Sequence, residues 1–221
     1  MLHRAFVEPL GVWGEVSAPA VPELVGLLGG VSHGAAIGAI GAGASAAVPA
    51  LEGLLRDPPE PPSRAADVPL AYWKITGDPG PALAAADAAF AGSRPFREWR
   101  GLGDLGHHAA AHADRLRALL DSRDDWTRVE AAHALYRVTG ERDEAADILR
   151  GAVFPLAVGE YLPARWAALR HLRAMPDGPE NWHRVLRELL DSDRRHGYWA
   201  GRPRIAEDRE LRTPATGILE S

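Results

Sequence analysis

The stretch DDWTRVEAAHALYRVTGERDEAADILRGAV, residues 124–153, holds one complete unit of the pattern that organises the chain. It opens on acidic residues, runs through an apolar-periodic segment to Gly140, and resumes with a second segment in which Leu149, Ala152 and Val153 stand at offsets i, i+3 and i+4. That spacing puts three residues on one face of a helix. A glycine closing an apolar segment suits the left-handed residue just past a helix end. The unit therefore reads as helix, glycine stop, short loop and amphipathic second helix.

Both marks recur. The glycines are Gly14, Gly41, Gly77, Gly106, Gly140 and Gly178, at intervals of 27, 36, 29, 34 and 38 residues. The pattern Leu-x-x-Leu-Leu appears at Leu24, Leu27 and Leu28, at Leu51, Leu54 and Leu55, at Leu116, Leu119 and Leu120, and at Leu186, Leu189 and Leu190, with Ala86, Ala89 and Phe90 as a weaker copy beside that of residues 149–153. The last residue of each copy follows its glycine by 14, 14, 13, 14, 13 and 12 positions, so the two marks are in phase. Direct copies support this: Tyr72 to Gly77 answers Leu135 to Gly140 two units later, and Arg165 to Leu172 answers Arg128 to Leu135.

The expected fold is all-α, an α-solenoid of about six antiparallel helix pairs, because a lone pair cannot bury its apolar face and stacked neighbours close the core. Repeats fall near 1–29, 30–57, 58–92, 93–122, 123–154 and 155–193, in one domain over 1–221 with a C-terminal cap over 194–221 that includes a helix within Glu207 to Glu220. First helices are predicted near 2–13, 31–40, 63–76, 94–105, 125–139 and 160–175. Second helices are predicted near 18–28, 44–56, 80–91, 109–121, 142–153 and 179–192. The tryptophans Trp13, Trp73, Trp126 and Trp166 fall at apolar phases and are expected in the core.

A net charge of −5 argues against a chain built to blanket nucleic acid or an anionic membrane. Cysteine is absent, which excludes disulfides, thiolate nucleophiles and Cys-based metal sites. The start of the sequence meets charge before any apolar run develops, so no secretory signal is read there and cytoplasmic residence is expected. Gly34 to Leu51 carries no charge over 18 positions, the length of a membrane span, but its Ala and Gly content and Pro49 favour close-packed helices instead. The near-exclusive use of Arg over Lys, with Lys74 the single lysine, suggests a GC-rich genome.

Residues 124–140 resemble the HEAT repeat in its bacterial, PBS-lyase-type form, and the resemblance runs over roughly residues 1–193. The tail Leu190 to His196, followed by Glu207 to Leu211, resembles the closing segment of HEAT-repeat proteins common in actinobacteria. What the resemblance implies is a right-handed solenoid whose second helices line a concave binding face. It also implies a ladder between repeats, carried here by Asp124 or Asp125 with Arg128 and, one repeat later, Arg165; in the unit after Asp57 the nearest arginine, Arg64, is shifted by one from the aligned Ala65. Iron-binding hydroxylases of this kind carry His-Glu dipeptides, of which this sequence has none.

Few residues suggest chemistry. His107, His108 and His112 crowd one segment, and the i, i+4 pair His108 and His112 with Asp114 nearby is the one metal candidate; without a third fixed ligand or a Glu base such a pair suits a solvated face, and no metal or cofactor is expected. No nucleophile elbow, Walker loop or dinucleotide fingerprint is present, so no catalytic residue is assigned. The arginines between Arg184 and Arg204, interleaved with Trp182, Tyr198 and Trp199, offer guanidiniums beside stacking surfaces, but Glu188, Asp191 and Asp193 interleave as well.

The expected function is a non-catalytic scaffold that binds another protein or peptide along the second-helix ridge, through Glu23, Glu52, Arg56, Asp87, His112, Arg115, Asp143, Asp147, Arg150, His183, Arg184 and Arg187. The alternatives are a nucleic-acid groove similar to that of the alkylpurine DNA glycosylases, disfavoured by charge, and an accessory subunit of an enzyme or lyase.

Overall fold

The computed structural model describes residues 13–28, 34–59, 65–92, 101–157, 162–175, 182–191, 212–213 and 216. Among these the protein is all-α, with no strand. The expected helix near 2–13, the stop at Gly178 and most of the cap lie outside the described residues. Contacts gather the chain into two compact units, Met1–Leu105 and Gly106–Ser221, so the division falls inside the repeat expected at 93–122 and not between repeats.

The predicted glycine stops are where the backbone turns left-handed: φ is +56° at Gly14, +70° at Gly41, +79° at Gly77, +56° at Gly106 and +76° at Gly140. An L side chain is strained there, and glycine is not. Two of the stops are built alike. The Gly77 amide donates to Trp73 O at 2.7 Å and the Gly140 amide to Tyr136 O at 2.8 Å, closing each helix end. Beside them, Thr76 donates to Tyr72 O and accepts from the Asp78 amide, while Thr139 donates to Leu135 O and accepts from the Glu141 amide.

The other three stops lead directly into 3-10 helix. Gly14–Ala20, Gly41–Ala47 and Gly106–His112 are seven-residue 3-10 segments, and α-helix begins only at Val21–Gly26, Val48–Arg56 and Ala113–Leu119. The second helices expected at 18–28, 44–56 and 109–121 are thus tighter-wound in their first half. Pro22 and Pro49 sit in the first turn of their α-helices, where a missing amide costs no bond. The helices Gly80–Ala91 and Asp125–Thr139 match the predicted 80–91 and 125–139. Pro163–Arg173, Asp143–Ala157 and Trp182–Asp191 stand close to their predicted bounds.

Within the first unit, Gly34–Ile40 and Val48–Arg56 both pack on Val68–Thr76, and the 3-10 segments Gly14–Ala20 and Gly41–Ala47 pack on each other. Within the second, Asp125–Thr139 packs on Ala113–Leu119, Asp143–Ala157 and Pro163–Arg173, and Asp143–Ala157 packs on Trp182–Asp191. First helices meet first helices at Gly34–Ile40 with Val68–Thr76 and at Asp125–Thr139 with Pro163–Arg173, and each also packs on second helices. The opening residue of every ridge copy is buried: Leu24 at 3%, Ala86 at 1%, and Leu51, Leu116, Leu149 and Leu186 at 0% relative exposure.

Small residues let the backbones approach. A Cβ on Gly38 would stand 2.9 Å from Ala71 Cα across the packed first helices, and one on Gly43 would stand 3.2 Å from Glu15 Cα. The run Gly34–Arg56 is long and apolar enough to cross a membrane by length and composition, but Gly41 reverses its handedness, Ala44 departs from helical angles, and 44% of its apolar window is buried. At the other end, Arg212 donates to Leu190 O at 2.6 Å, satisfying a carbonyl of the last turn of Trp182–Asp191 with a cation. Trp13 is 62% exposed and not in the core, while Trp73, Trp126 and Trp166 are half-buried.

Two glycine substitutions separate strain from crowding. Gly140→Ala meets no atom within 4 Å and is expected to cost about 1–2 kcal/mol through the left-handed backbone alone. Gly38→Ala should gain about 1 kcal/mol of helix propensity yet lose more, about 1–3 kcal/mol, because the atom it meets is backbone and cannot rotate away. Urea unfolding of both variants measures this; a stabilised Gly38→Ala would contradict the close packing. Leu149→Ala is expected to cost about 2–5 kcal/mol, against under about 1 kcal/mol for the 36%-exposed Leu27→Ala.

Candidate functional site

The first helices of the second unit are joined by a polar seam. Asp124 caps helix Asp125–Thr139, its Oδ2 accepting from the Thr127 amide at 2.8 Å and the Thr127 hydroxyl at 2.7 Å. Asp125 is the residue that reaches between repeats: Oδ1 pairs with Arg128 one turn on, and Oδ2 lies 4.0 Å from Arg165 of the next first helix. Arg165 is only 13% exposed, so the interaction is less screened than a surface pair. Further along, Glu130 lies 3.4 Å from His171 Nε2, and His171 stacks on His133 with ring centroids 3.8 Å apart. Arg170 covers the Trp166 ring at 4.6 Å.

The second helices carry exposed charge, as do the first helices at Lys74, Arg137, Arg170 and Arg173. In the first unit Glu23, Glu52, Arg56 and Asp87 are exposed, and Glu52 accepts from the Tyr72 hydroxyl at 3.4 Å. In the second unit Arg115, Asp143, Asp147 and Arg187 are exposed, Arg150 is half-buried, and Arg150 pairs with Asp147 one turn before it. The side chains of His183 and Arg184 lie outside the described residues. His112 does not belong to the ridge: it is 5% exposed, whereas His108 faces solvent. The reason is the winding, since at three residues per turn positions i and i+4 diverge by about a third of a turn. The same geometry undoes the His108 and His112 chelate, and among the described residues no group of three or more metal-ligating side chains gathers.

One site residue was missed. Arg117 Nη2 lies 2.6 Å from Glu141, Nη1 lies 3.0 Å from Asp114 and Nε lies 3.4 Å from Glu144, so a single guanidinium ties its own helix to the loop and helix of the next repeat. The Glu141 hydrogen bond, more than any other contact, holds its proton more firmly than in a free arginine. A register signal was available. The residue after the opening ridge position is Val25, Glu52 and Asp87 in the first unit, and Arg117, Arg150 and Arg187 in the second.

With this geometry in hand, comparison with known proteins adds nothing further: no family model, no curated protein and no solved structure matches the chain.

The Tyr72 phenol is pushed above its ordinary value by desolvation first, then by the negative charges of Glu52 and Asp78 and by its hydrogen bond to Glu52. A raised value in the folded state means the neutral phenol's contribution is fully present below the unfolded value of about 10 and is lost as pH rises through the folded one. In alkaline titration followed by absorbance at 295 nm, the step lost in Tyr72→Phe should lie above that of a free tyrosine, and Glu52→Gln should lower it. No change in Glu52→Gln would contradict the contact.

Proposed function

We propose that each unit is a stack of HEAT-like helical hairpins and that the protein is a non-catalytic scaffold, holding another protein or peptide along its second helices. The observation that carries this reading is the division of labour between the two kinds of helix. In the second unit the first helices spend Asp125, Arg128, Arg165, Glu130 and His171 on one another, in a partly buried seam. The second helices bury an apolar side, for example Ala145, Ala146, Leu149, Val153 and Leu156 in Asp143–Ala157, and leave charged residues such as Asp143 and Asp147 facing outward. A surface of regularly spaced charge on a rigid core can read a long partner one repeat at a time.

The mixed signs on the second helices of the second unit, with Asp143 and Asp147 beside Arg115, Arg150 and Arg187, suit a protein better than a polyanion, which calls for clustered cations. Cytoplasmic residence, the absence of a cofactor and a bacterial source remain part of the proposal, on the sequence grounds given above.

Site-specific photocrosslinking tests the assignment. A photoreactive phenylalanine placed at Asp143, Asp147 or Arg187 is expected to give the same covalent partner adduct in cells, and one placed at exposed Arg173 of a first helix of the same unit is expected to give none. Adducts confined to the first-helix position would overturn the surface.

A further inference from the structure

We infer that the outward row of helix Asp143–Ala157 seats a helical segment of a protein partner, which brings cations to Asp143 and Asp147 and an apolar side chain to Phe154. Asp143, Asp147, Gly151 and Phe154 are all exposed, and at offsets of 4, 8 and 11 residues they fall within about 80° of arc over about 16 Å of helix. This deepens the second-helix reading of function, on which it rests, by giving the partner's chemistry at one place.

Three features set the row apart from a solvated face. Phe154 is 50% exposed, and a half-wet phenyl ring leaves apolar area for a partner to bury. Gly151 stands inside the helix, where glycine is the weakest former after proline. Its backbone is not left-handed and a Cβ there would meet nothing within 4 Å, so neither strain nor crowding within the chain calls for glycine. Gly38 shows what a helix glycine does in this chain: its Cβ would stand 2.9 Å from Ala71 Cα of a packed helix, and the small residues let the two backbones meet. At Gly151 the crossing helix is missing. The third feature is charge of one sign. Asp143 pairs with no cation among the described residues, Asp147 meets Arg150 of its own helix, and Pro155 has no amide to donate to the Gly151 carbonyl. The row offers acceptors and no side-chain donor, which selects a helix bearing Lys or Arg beside a small residue and an apolar one.

The probe is a fluorescein-labelled amphipathic helical peptide of Lys, Leu and Ala, with alanine at the centre of its apolar stripe, titrated with the full chain and followed by anisotropy. Saturable binding is expected, weakened about tenfold by Gly151→Leu with no fall in melting temperature, because the new side chain meets solvent in the free chain and blocks the crossing in the complex. Phe154→Ser and Asp143→Lys should each weaken it about fivefold, and Asp121→Lys, the same charge change at an exposed position outside the row, less than about twofold. The same peptide with Glu in place of Lys should not bind. Unchanged affinity or a lowered melting temperature in Gly151→Leu, equal losses in Asp143→Lys and Asp121→Lys, or equal binding of the Glu peptide would overturn the inference. So would sedimentation showing a dimer of the chain that Gly151→Leu abolishes, which would assign the row to a second copy. Crosslinks from Asp143 and Asp147 without peptide binding would sink the helical segment and leave the scaffold surface standing. Peptide binding that depends on Gly151, with crosslinks only from Arg173, would do the reverse.

Discussion

Each unit depends on a phase relation between a reversal and a burial. A left-handed glycine turns the chain, and nine or ten residues later a small or leucine side chain enters the core: Gly14 with Leu24, Gly41 with Leu51, Gly77 with Ala86, Gly106 with Leu116 and Gly140 with Leu149. Two different routes reach that phase. After Gly14, Gly41 and Gly106 the chain winds through seven residues of 3-10 helix and takes ten steps. After Gly77 and Gly140 a short loop, braced by the preceding threonine hydroxyl, leads into α-helix in nine. The burial is the fixed quantity, and local winding adjusts to it. Non-directional apolar burial of a whole ridge outweighs the modest preference of a few residues for one helical winding over another.

That ordering explains what was legible in the sequence. Helix Asp125–Thr139 was predictable to the residue because the Asp124 cap and the Thr139–Gly140 stop mark its ends in side-chain chemistry, and Gly80–Ala91 because Pro79 and Gly92 flank it. The 3-10 segments carry no such mark. In Gly41–Ala47 every residue is Gly, Ala or Ser, and over seven residues a period of 3.0 cannot be told from 3.6 when the side chains are all small. The error then propagated to the candidate site: His112 was set on an exposed α-helical face, while the tighter winding carries it into the core. Arg117 was missed for another reason. Its three carboxylates come from positions 114, 141 and 144, and only the stacking of neighbouring repeats brings the last two to it. Asp125 and Asp124 were indistinguishable by sequence; geometry assigns the first to the seam between repeats and the second to the helix cap.

The division between the first-helix seam and the exposed second-helix charges also sets which of them the fold can lose at little cost. Residues of the first-helix seam are half-buried and mutually paired, so replacing one leaves its neighbours uncompensated. Exposed residues such as Arg187 and Asp143 follow or precede buried positions of their helices but are not themselves buried, so their charge can vary at little cost to the fold.

The phase relation is tested most directly by a pair of single-alanine insertions in the same repeat, compared by equilibrium urea unfolding. An alanine inserted between Asp147 and Ile148 rotates everything after it by about 100° and carries Leu149 off the core face. An alanine inserted after Glu141 lengthens the loop and leaves the helix in phase. The expected result is a loss of about 3 kcal/mol or more for the first and under about 1 kcal/mol for the second. Equal losses from the two insertions would contradict the account.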